Sequence, residues 1–291
     1  MSDINPFAIL DSLGIANCTG ATRIHGGWYT TIWQIHRGEE SFALRLFPAG
    51  HQSAARHEAT MMRAARDAGI NVPGIHAEGE WNDRPVLLLD WCDGRTVMQE
   101  MRRRPWNIRR LGYRFGQRQA EIHRVEYTHP ELDSQQWITR FGPVDDDLRS
   151  RLIDVQLQPA RLLHLDYHPL NVMVSQREIG CILDWCNAMP GDPRADVART
   201  WSILRLMPLN PGRPEPVTES ARRLLAAGWL RGYEDAAGPL QDMNLFKVWA
   251  GFAMVHDLQQ YVDKPEIWIE QRHVDSIRQR VNELRQRAGI A

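Results

Sequence analysis

Apolar positions in the first ninety residues fall into short runs that favour strands. The segments YTTIWQIHR and ESFALRLF are rich in β-branched and aromatic residues and are separated by RGEE, which predicts a β-hairpin. A third apolar run, RPVLLLDW, predicts another strand. Between them, SAARHEATMMRAARDAG has a helical pattern, with Ser53 as a candidate N-cap and Gly69 as a stop.

The pattern changes between Leu89 and Gly94, and helical periodicity dominates the rest of the chain. One exception is the pair NVMVS and CILDW, joined by the polar QREIG, which predicts a second hairpin. Helices are predicted in the segments NIRRLGYRFGQRQAEIHRV, ADVARTWSILRLM, ESARRLLAAGWLRGYEDA, LFKVWAGFAMVHDLQQYV and EIWIEQRHVDSIRQRVNELRQR. We therefore expect an α+β fold with two lobes, a β-rich one over residues 1–92 and a larger helical one over residues 93–291.

Composition and charge restrict the classes of partner. The chain has 291 residues, 43% of them hydrophobic, and a net charge of −1, so it is an ordinary globular sequence without a broad surface for nucleic acid or anionic membranes. No apolar run approaches the roughly 18 residues that span a bilayer, and the N-terminus lacks a signal-peptide pattern. The four cysteines form no CxxC pair, so we expect reduced thiols in a cytoplasmic protein.

The segment LLHLDYHPLNVMV, residues 162–174, places polar side chains between two apolar runs. His164, Asp166, His168 and Asn171 are costly to bury without partners, which indicates a functional loop. A further acid, Asp184, lies near the end of the predicted second hairpin. Carboxylate and amide oxygens are the ligands that magnesium uses beside a polyphosphate, and Asp166 is then left to orient a hydroxyl and accept its proton.

Three motifs in this order resemble the aminoglycoside phosphotransferase and choline kinase family, the small-molecule branch of the protein-kinase-like fold. They are the His-x-Asp-x-x-x-x-Asn loop, the ILDW segment and the run GDPRADVA at 191–198. The resemblance implies a kinase-like fold, ATP or GTP with magnesium, and a small-molecule hydroxyl acceptor. It also implies the roles of the loop residues: Asp166 as the catalytic base, Asn171 and Asp184 as metal ligands, and His164, His168, Asp192 and Asp196 as structural support of the loop.

The resemblance extends less closely to the N-terminal lobe. Arg45 in FALRLF stands where the fold needs a basic side chain for the nucleotide phosphates, and Glu58 is its predicted partner on the helix. Protein kinases have lysine at that position, but a guanidinium can also hold phosphate in a bidentate fork. The remaining nucleotide-binding candidates are a sparse phosphate loop and an interlobe hinge that would bind adenine: Gly26 and Gly27, and Asp90 to Cys92.

The acceptor is predicted only by class. An aminoglycoside-like or related antibiotic is cationic and would need carboxylates on the C-terminal helices, where the candidates are Glu234, Asp235, Asp257 and Asp263. Choline, ethanolamine, a macrolide, an amino alcohol or a sugar stay open as acceptors.

Two other interpretations also stay open. His164, Asp166 and His168 have the residue types of a zinc or iron site, which would make the protein a metal-dependent hydrolase. Arginine at position 45 and the sparse glycine loop would also fit a nucleotide-binding protein without catalysis.

Overall fold

The computed structural model describes residues 4–24, 30–208, 215–262, 264 and 267–290. It divides into two compact units. The first unit consists of Met1–Gly94 together with Gly180–Cys186, and the second of Arg95–Ile179 together with Asn187–Ala291.

The first unit is built on a five-stranded antiparallel sheet in the order β1-β2-β3-β5-β4. The hairpin predicted around RGEE is present, with Arg37 paired to Glu40 and Gly38 at a φ of +61°, a conformation that suits a two-residue turn. Its elements are α1 (Pro6–Ser12), β1 (Gly20–Ile24), β2 (Thr31–Arg37), β3 (Glu40–Leu46), α2 (Gln52–Asp67), β4 (Ile75–Trp81) and β5 (Arg84–Asp90).

The core of the first unit lies between the sheet and α1. Trp33 and Ile35 alternate with less buried residues along β2, so one face of that strand is apolar. Ile9 and Leu10 of α1 cover this face together with side chains from β3 and β5. β5 is buried over its whole interior: Val86 and Leu88 belong to this core, and the strand is paired on both edges, with β3 and β4.

Helix α2 starts earlier in the chain than the sequence predicted. It begins at Gln52, and the N-cap position is His51, which makes no side-chain capping bond. The interpretation of Ser53 as the N-cap is therefore wrong, because Ser53 already lies within the first turn. The predicted stop at Gly69 agrees with the structure, since the helix ends at Asp67 and Gly69 adopts a φ of +83° two residues later.

The second unit is mainly helical and includes short strands. β10 pairs with β7, and β8 lies between β6 and β9. The last predicted helix starts later than expected, at Gln271, so residues 267–270 are not part of it. The elements that follow Gly94 in the chain are β6 (Arg95–Thr96), α3 (Val97–Arg103), α4 (Ile108–Ile122), α5 (Asp146–Asp154), β7 (Arg161–Leu163), β8 (Val172–Ser175), β9 (Glu178–Ile182), β10 (Met189–Gly191), α6 (Pro193–Arg205), α7 (Glu215–Ala237), α8 (Met243–Gln259) and α9 (Gln271–Arg287).

Segment Gly180–Cys186 groups with the first unit, although the sequence placed it in the second lobe. The Ile182 amide donates to the Asn71 carbonyl at 2.9 Å, and Cys181 is disulfide-bonded to Cys92. These partners are distant in sequence, so no local pattern predicts them. The boundary after residue 92 is close to the division after Gly94, but a single boundary does not describe the chain.

The disulfide also corrects the expectation of four reduced thiols. Cys92 and Cys181 are bonded, with their Cα atoms 6.2 Å apart, whereas Cys18 and Cys186 are free.

Among the described residues, no helix combines the length and the apolar character that crossing a bilayer requires.

Helices α4 and α7 pack against each other through glycines on both helices. A methyl group on Gly116 would collide with the backbone of Trp229, and one on Gly232 would collide with the backbone of Tyr113. The same holds for a second glycine on each helix, four residues earlier: Gly112 and Gly228. Without side chains at these positions the two helix backbones approach closely, which brings polar residues of α4 and α7 into one buried network.

Candidate active site

The loop between β7 and β8 carries the polar residues that the sequence singled out. Leu165 has a φ of +60°, an uncommon conformation for a non-glycine residue, and it directly precedes Asp166. Asp196 of α6 binds the backbone here: its carboxylate accepts from the His164 amide at 3.0 Å and from the Leu165 amide at 2.7 Å. Asp196 therefore holds two consecutive peptide groups at the start of the loop.

Asp196 is itself held by residues that the sequence analysis missed. His123, at the end of α4, lies 2.8 Å from Asp196 Oδ2 through Nε2 and 2.7 Å from the Tyr233 hydroxyl through Nδ1. All three side chains are buried. Burial opposes ionisation of Asp196, but hydrogen bonding and charge from His123 and His164 keep its pKa below the usual value. Only the fold brings α4 and α7 together, so sequence spacing gave no signal for this contact.

Asp166 is paired within the same loop. The Asn171 side-chain amide donates to Asp166 Oδ2 and to the Asp166 carbonyl, both at 3.1 Å, and His168 Nε2 lies 3.5 Å from Oδ2. Burial alone would raise the pKa of Asp166, but charge and a hydrogen bond from His168, with further charge from His164 and Arg199, lower it to about 2. The side chain is 25% exposed, so an ionised carboxylate faces solvent.

The two loop histidines contact the backbone of the loop. His164 is fully buried, and the Asp166 amide donates to its Nδ1 at 3.3 Å. The Leu170 amide donates to His168 Nδ1 at 3.2 Å. Both rings therefore fix the path of the chain around Asp166.

Asp192 lies at the N-cap of α6. Its carboxylate accepts from the Arg194 amide at 2.9 Å and pairs with the Arg194 guanidinium at 2.7 Å. It also accepts from the Gln158 amide at 2.9 Å. The structure places Asp192 in capping α6, the helix that carries Asp196.

The first unit contains the second group of predicted residues. Arg45 on β3 is ion-paired with Glu58 of α2 through Nη1, and its Nη2 lies 3.2 Å from Asp184 Oδ1. Its Nε donates to the Thr30 hydroxyl at 3.1 Å. The guanidinium therefore links β3, α2 and the segment after β9. Through it, Arg45, Glu58 and Asp184 meet although they lie in separate parts of the sequence.

Glu58 is fully buried in this group. Its Oε1 accepts from the Trp185 amide at 3.3 Å, and its Oε2 has no hydrogen-bond partner among the described residues. Burial and the neighbouring Asp184 raise the pKa of Glu58 to about 7, against the opposing charge of Arg45. Burial opposes the charge of Arg45 as well, but the two carboxylates raise its pKa above the usual value, so the guanidinium stays ionised.

Asp184 lies beyond its strand, not within it. β9 ends at Ile182, and Asp184 follows with a φ of +62°. A position near the strand end was expected because ILDW is continuous with an apolar run. The left-handed turn directs the chain so that Asp184 contacts Arg45.

The hinge candidates are only partly available for a ligand. The Asp90 amide donates to the Gly74 carbonyl at 2.9 Å, and the Asp90 carboxylate contacts the Gly74 amide and His76, each at 2.6 Å. The backbone N–H of Asp90 is therefore already used by the Gly74 carbonyl. Gly26 and Gly27 lie outside the described residues.

The predicted acceptor carboxylates that the structure describes lie on two different helices, α7 and α8. Glu234 and Asp235 lie on α7, where Asp235 pairs with Arg231 at 3.0 Å. Asp257 on α8 pairs with the buried Arg199 of α6 at 2.7 Å. Asp263 lies outside the described residues.

The metal-hydrolase interpretation gains no support from the geometry. Within the part of the chain that the structure describes, no three His, Cys, Asp or Glu side chains are grouped as a metal site. This holds for His164, Asp166 and His168: both histidine rings accept hydrogen bonds from backbone amides of the loop, and Asp166 accepts one from the Asn171 side chain.

Comparison with known proteins agrees with the fold and motifs. A search of curated proteins finds no match. Solved structures that match over nearly the whole chain include a thermostable mutant of aminoglycoside phosphotransferase APH(4)-Ia in ternary complex with AMP-PNP and hygromycin B, at 13% identity, with 97% of each chain covered and a TM-score of 0.66. Spectinomycin phosphotransferase APH(9)-Ia in complex with ADP and spectinomycin matches at 14% identity, with 97% of each chain covered and a TM-score of 0.56.

A third match is aminoglycoside-3'-phosphotransferase of type VIII, at 15% identity, covering 85% of this chain and 98% of that one, with a TM-score of 0.60. These likenesses show the kinase-like α+β fold. The family model described as "Phosphotransferase enzyme family" matches residues 20–239, which is most of the chain. The chain therefore belongs to the phosphotransferase enzyme family, as an enzyme that transfers a phosphoryl group to an alcohol.

Proposed function

We propose that the protein transfers the γ-phosphoryl group of ATP or GTP, with magnesium, to a hydroxyl of a small molecule of the aminoglycoside type or a related antibiotic. The observation that carries this proposal is the arrangement of the loop around Asp166. An ionised carboxylate, held by Asn171 and two histidines, is partly open to solvent in a chain of the phosphotransferase family.

Asp166 orients the acceptor hydroxyl and receives its proton. A carboxylate with a pKa of about 2 is a weak base for an alcohol, so it accepts the proton late, as the bond to phosphorus forms. Its main contribution is to place the hydroxyl oxygen in line with the phosphoryl group. Positioning of this kind accounts for much of the catalysis in phosphoryl transfer.

The residues proposed for magnesium have suitable donor atoms. Asn171 uses its amide nitrogen to bind Asp166, which leaves its oxygen as the ligand atom. Asp184 offers a carboxylate beside Arg45. Both are hard oxygen donors, and few protein ligands are typical of magnesium on a polyphosphate. When bound, the ion would neutralise charge on the phosphates.

Arg45 is proposed to bind the nucleotide phosphates. Its guanidinium is ionised and is oriented by Glu58, and its contact with Asp184 holds it close to a proposed metal ligand. An ion pair that orients a guanidinium supplies the same function as the lysine of protein kinases. For adenine, the backbone between Trp91 and Cys92 is the proposed contact.

The acceptor class rests on likeness to relatives. The matching solved structures include complexes of those proteins with hygromycin B and with spectinomycin. An exposed carboxylate such as Asp235 would suit a cationic compound, but its partner Arg231 occupies it here. Choline, ethanolamine, a macrolide, an amino alcohol or a sugar are the alternative outcomes of the test.

The test is an acceptor screen with purified protein. ADP or GDP release would be followed with ATP or GTP and magnesium across hygromycin B, spectinomycin, other aminoglycosides, macrolides, choline, ethanolamine and sugars. Release that depends on one aminoglycoside-type compound, with a phosphate ester in the product by mass spectrometry, is the expected result. Release only with choline, or with a sugar, would overturn the acceptor class. Nucleotide binding without transfer to any compound would favour a protein that binds nucleotide without catalysis.

A further inference from the structure

Two side chains of α6 bind the backbone of Leu165, the residue that precedes Asp166, one at its N–H and the other at its carbonyl. Asp196 accepts from the Leu165 amide at 2.7 Å, and Arg199 Nε donates to the Leu165 carbonyl at 3.4 Å. Asp196 and Arg199 are three residues apart, so they lie on the same face of the helix. Leu165 is in the left-handed region, which a branched side chain seldom adopts unless its surroundings hold it there.

Besides its contact with Leu165, the Arg199 side chain contacts Phe141 and Asp257. Its side chain is 4% exposed, and its guanidinium carbon lies 4.0 Å from the centroid of the Phe141 ring. Nη2 donates to Asp257 Oδ2 at 2.7 Å. Nη1 is buried without a hydrogen-bond partner among the described residues. A buried guanidinium with an unused donor is an inefficient way to stabilise a core, which indicates a role beyond packing.

We propose that Arg199 is a positioning residue for Asp166, and that Asp257 acts through Arg199 instead of contacting the acceptor. This inference rests on the proposed function, in which Asp166 is the catalytic residue. It changes the role of Asp257, which the sequence placed among the acceptor carboxylates. The chain of contacts runs from Asp257 of α8 to Arg199 of α6 and then to the carbonyl of Leu165.

The kinetic test uses four variants: Arg199→Gln, Arg199→Lys, Asp257→Asn and the double variant Arg199→Gln/Asp257→Asn. The acceptor is the screened compound with the highest turnover. We expect Arg199→Gln to lower kcat by about 10- to 100-fold, because a misplacement of about 1 Å costs this much, while KM for nucleotide and acceptor stays within twofold. Arg199→Lys keeps the charge and recovers part of kcat.

The Asp257→Asn variant distinguishes action through Arg199 from direct contact with the acceptor. We expect Asp257→Asn to lower kcat less than Arg199→Gln, and the double variant to match Arg199→Gln alone, because both residues act through one contact. The control is Asp275→Asn, an exposed carboxylate of α9 that pairs with Arg278, and it should leave kcat and the acceptor KM unchanged. A higher acceptor KM with unchanged kcat in Asp257→Asn, or additive losses in the double variant, would overturn the inference.

A measurement without any acceptor separates this inference from the proposed function. Hydrogen–deuterium exchange of residues 162–174 should be faster in Arg199→Gln than in the wild type, with exchange in α4 unchanged. Equal exchange rates in the loop would overturn the positioning role even in an active enzyme. If the wild type transfers phosphate to no compound, the proposed function fails and the exchange experiment still decides whether Arg199 holds the loop. Should Arg199→Gln not fold, Asp257→Asn takes its place.

Discussion

Arg45 and Asp184 are in contact, with Nη2 of the guanidinium 3.2 Å from Oδ1 of the carboxylate. They are 139 residues apart in sequence, and the proposed metal ligand is thus bound to the proposed phosphate-binding side chain. The other terminal nitrogen of Arg45 pairs with Glu58, which is fully buried. One guanidinium therefore balances two carboxylates.

The first prediction separates the two roles of this arginine. Arg45→Met leaves Glu58 buried and unpaired, so we expect a loss of about 3 kcal/mol in unfolding free energy and at least tenfold weaker nucleotide binding. The double variant Arg45→Met/Glu58→Met removes the unpaired charge and should recover most of the stability. It should not recover binding. Urea unfolding and nucleotide titration measure the two effects, and recovery of both by the double variant would contradict the phosphate-binding role.

The second prediction concerns pH. The pKa of Asp166 is about 2 in the folded protein against a usual value of 3.8. A depressed pKa contributes stability that is present above the unfolded value and is lost as pH falls through the folded one. The difference in unfolding free energy between wild type and Asp166→Asn should therefore shift by about 2 kcal/mol in favour of the wild type between pH 2 and pH 5.

Urea unfolding of both proteins across that pH range checks this shift. Exposed Asp235→Asn serves as the control, because its carboxylate pairs with Arg231 on the surface. A difference between wild type and Asp166→Asn that is constant with pH would show that Asp166 titrates normally.

The third prediction concerns the glycines of α4 and α7. Alanine normally favours a helix over glycine by about 1 kcal/mol. At Gly116, however, the added methyl would meet the backbone of Trp229, so Gly116→Ala should destabilise the protein by about 1–3 kcal/mol. Arg231→Ala, on the exposed side of α7, should change stability by less than about 0.5 kcal/mol. A stabilised Gly116→Ala variant in thermal unfolding would mean that the two helices are farther apart.

The fourth prediction concerns the disulfide between Cys92 and Cys181. The bond closes a loop with a sequence separation of 89, so in the chain-entropy model its reduction should lower the unfolding free energy by about 4.6 kcal/mol. Thiol titration of the denatured, unreduced protein should find only Cys18 and Cys186. The variant Cys92→Ser/Cys181→Ser should then be insensitive to reductant, whereas Cys18→Ser should respond like the wild type. Four titratable thiols before reduction would contradict the bond.

Strong local patterns predicted much of the fold. The RGEE hairpin follows from β-branched runs around a short polar turn, and the long helices follow from their periodicity. The predicted start of α2 was wrong by two residues because Ser53 resembles a cap, whereas the N-cap is His51, which makes no side-chain capping bond. The short strand β10 gave no clear pattern, since it forms by pairing with β7, which lies much earlier in the sequence.

The candidate active site was also predictable only in part from the sequence. Asp166 and Asn171 stand in one short motif, so their proximity could be predicted, and so could the pairing of Arg45 with Glu58 from the family resemblance. The contacts of Asp196 with His123 and of Arg199 with Asp257 could not, because they join helices far apart in sequence. Long-range packing sets those contacts, and a single sequence does not display it.

The most direct test of the central claim is transfer of the γ-phosphoryl group by wild type and by Asp166→Asn. Radiolabelled γ-phosphate would be followed from ATP to the best compound of the acceptor screen, alongside the affinity of each protein for ATP with magnesium. We predict that label reaches the acceptor hydroxyl in the wild type and that transfer falls by at least 1000-fold in Asp166→Asn, while ATP affinity stays within about threefold. Undiminished transfer by Asp166→Asn, or equal loss of transfer and ATP binding, would contradict the account.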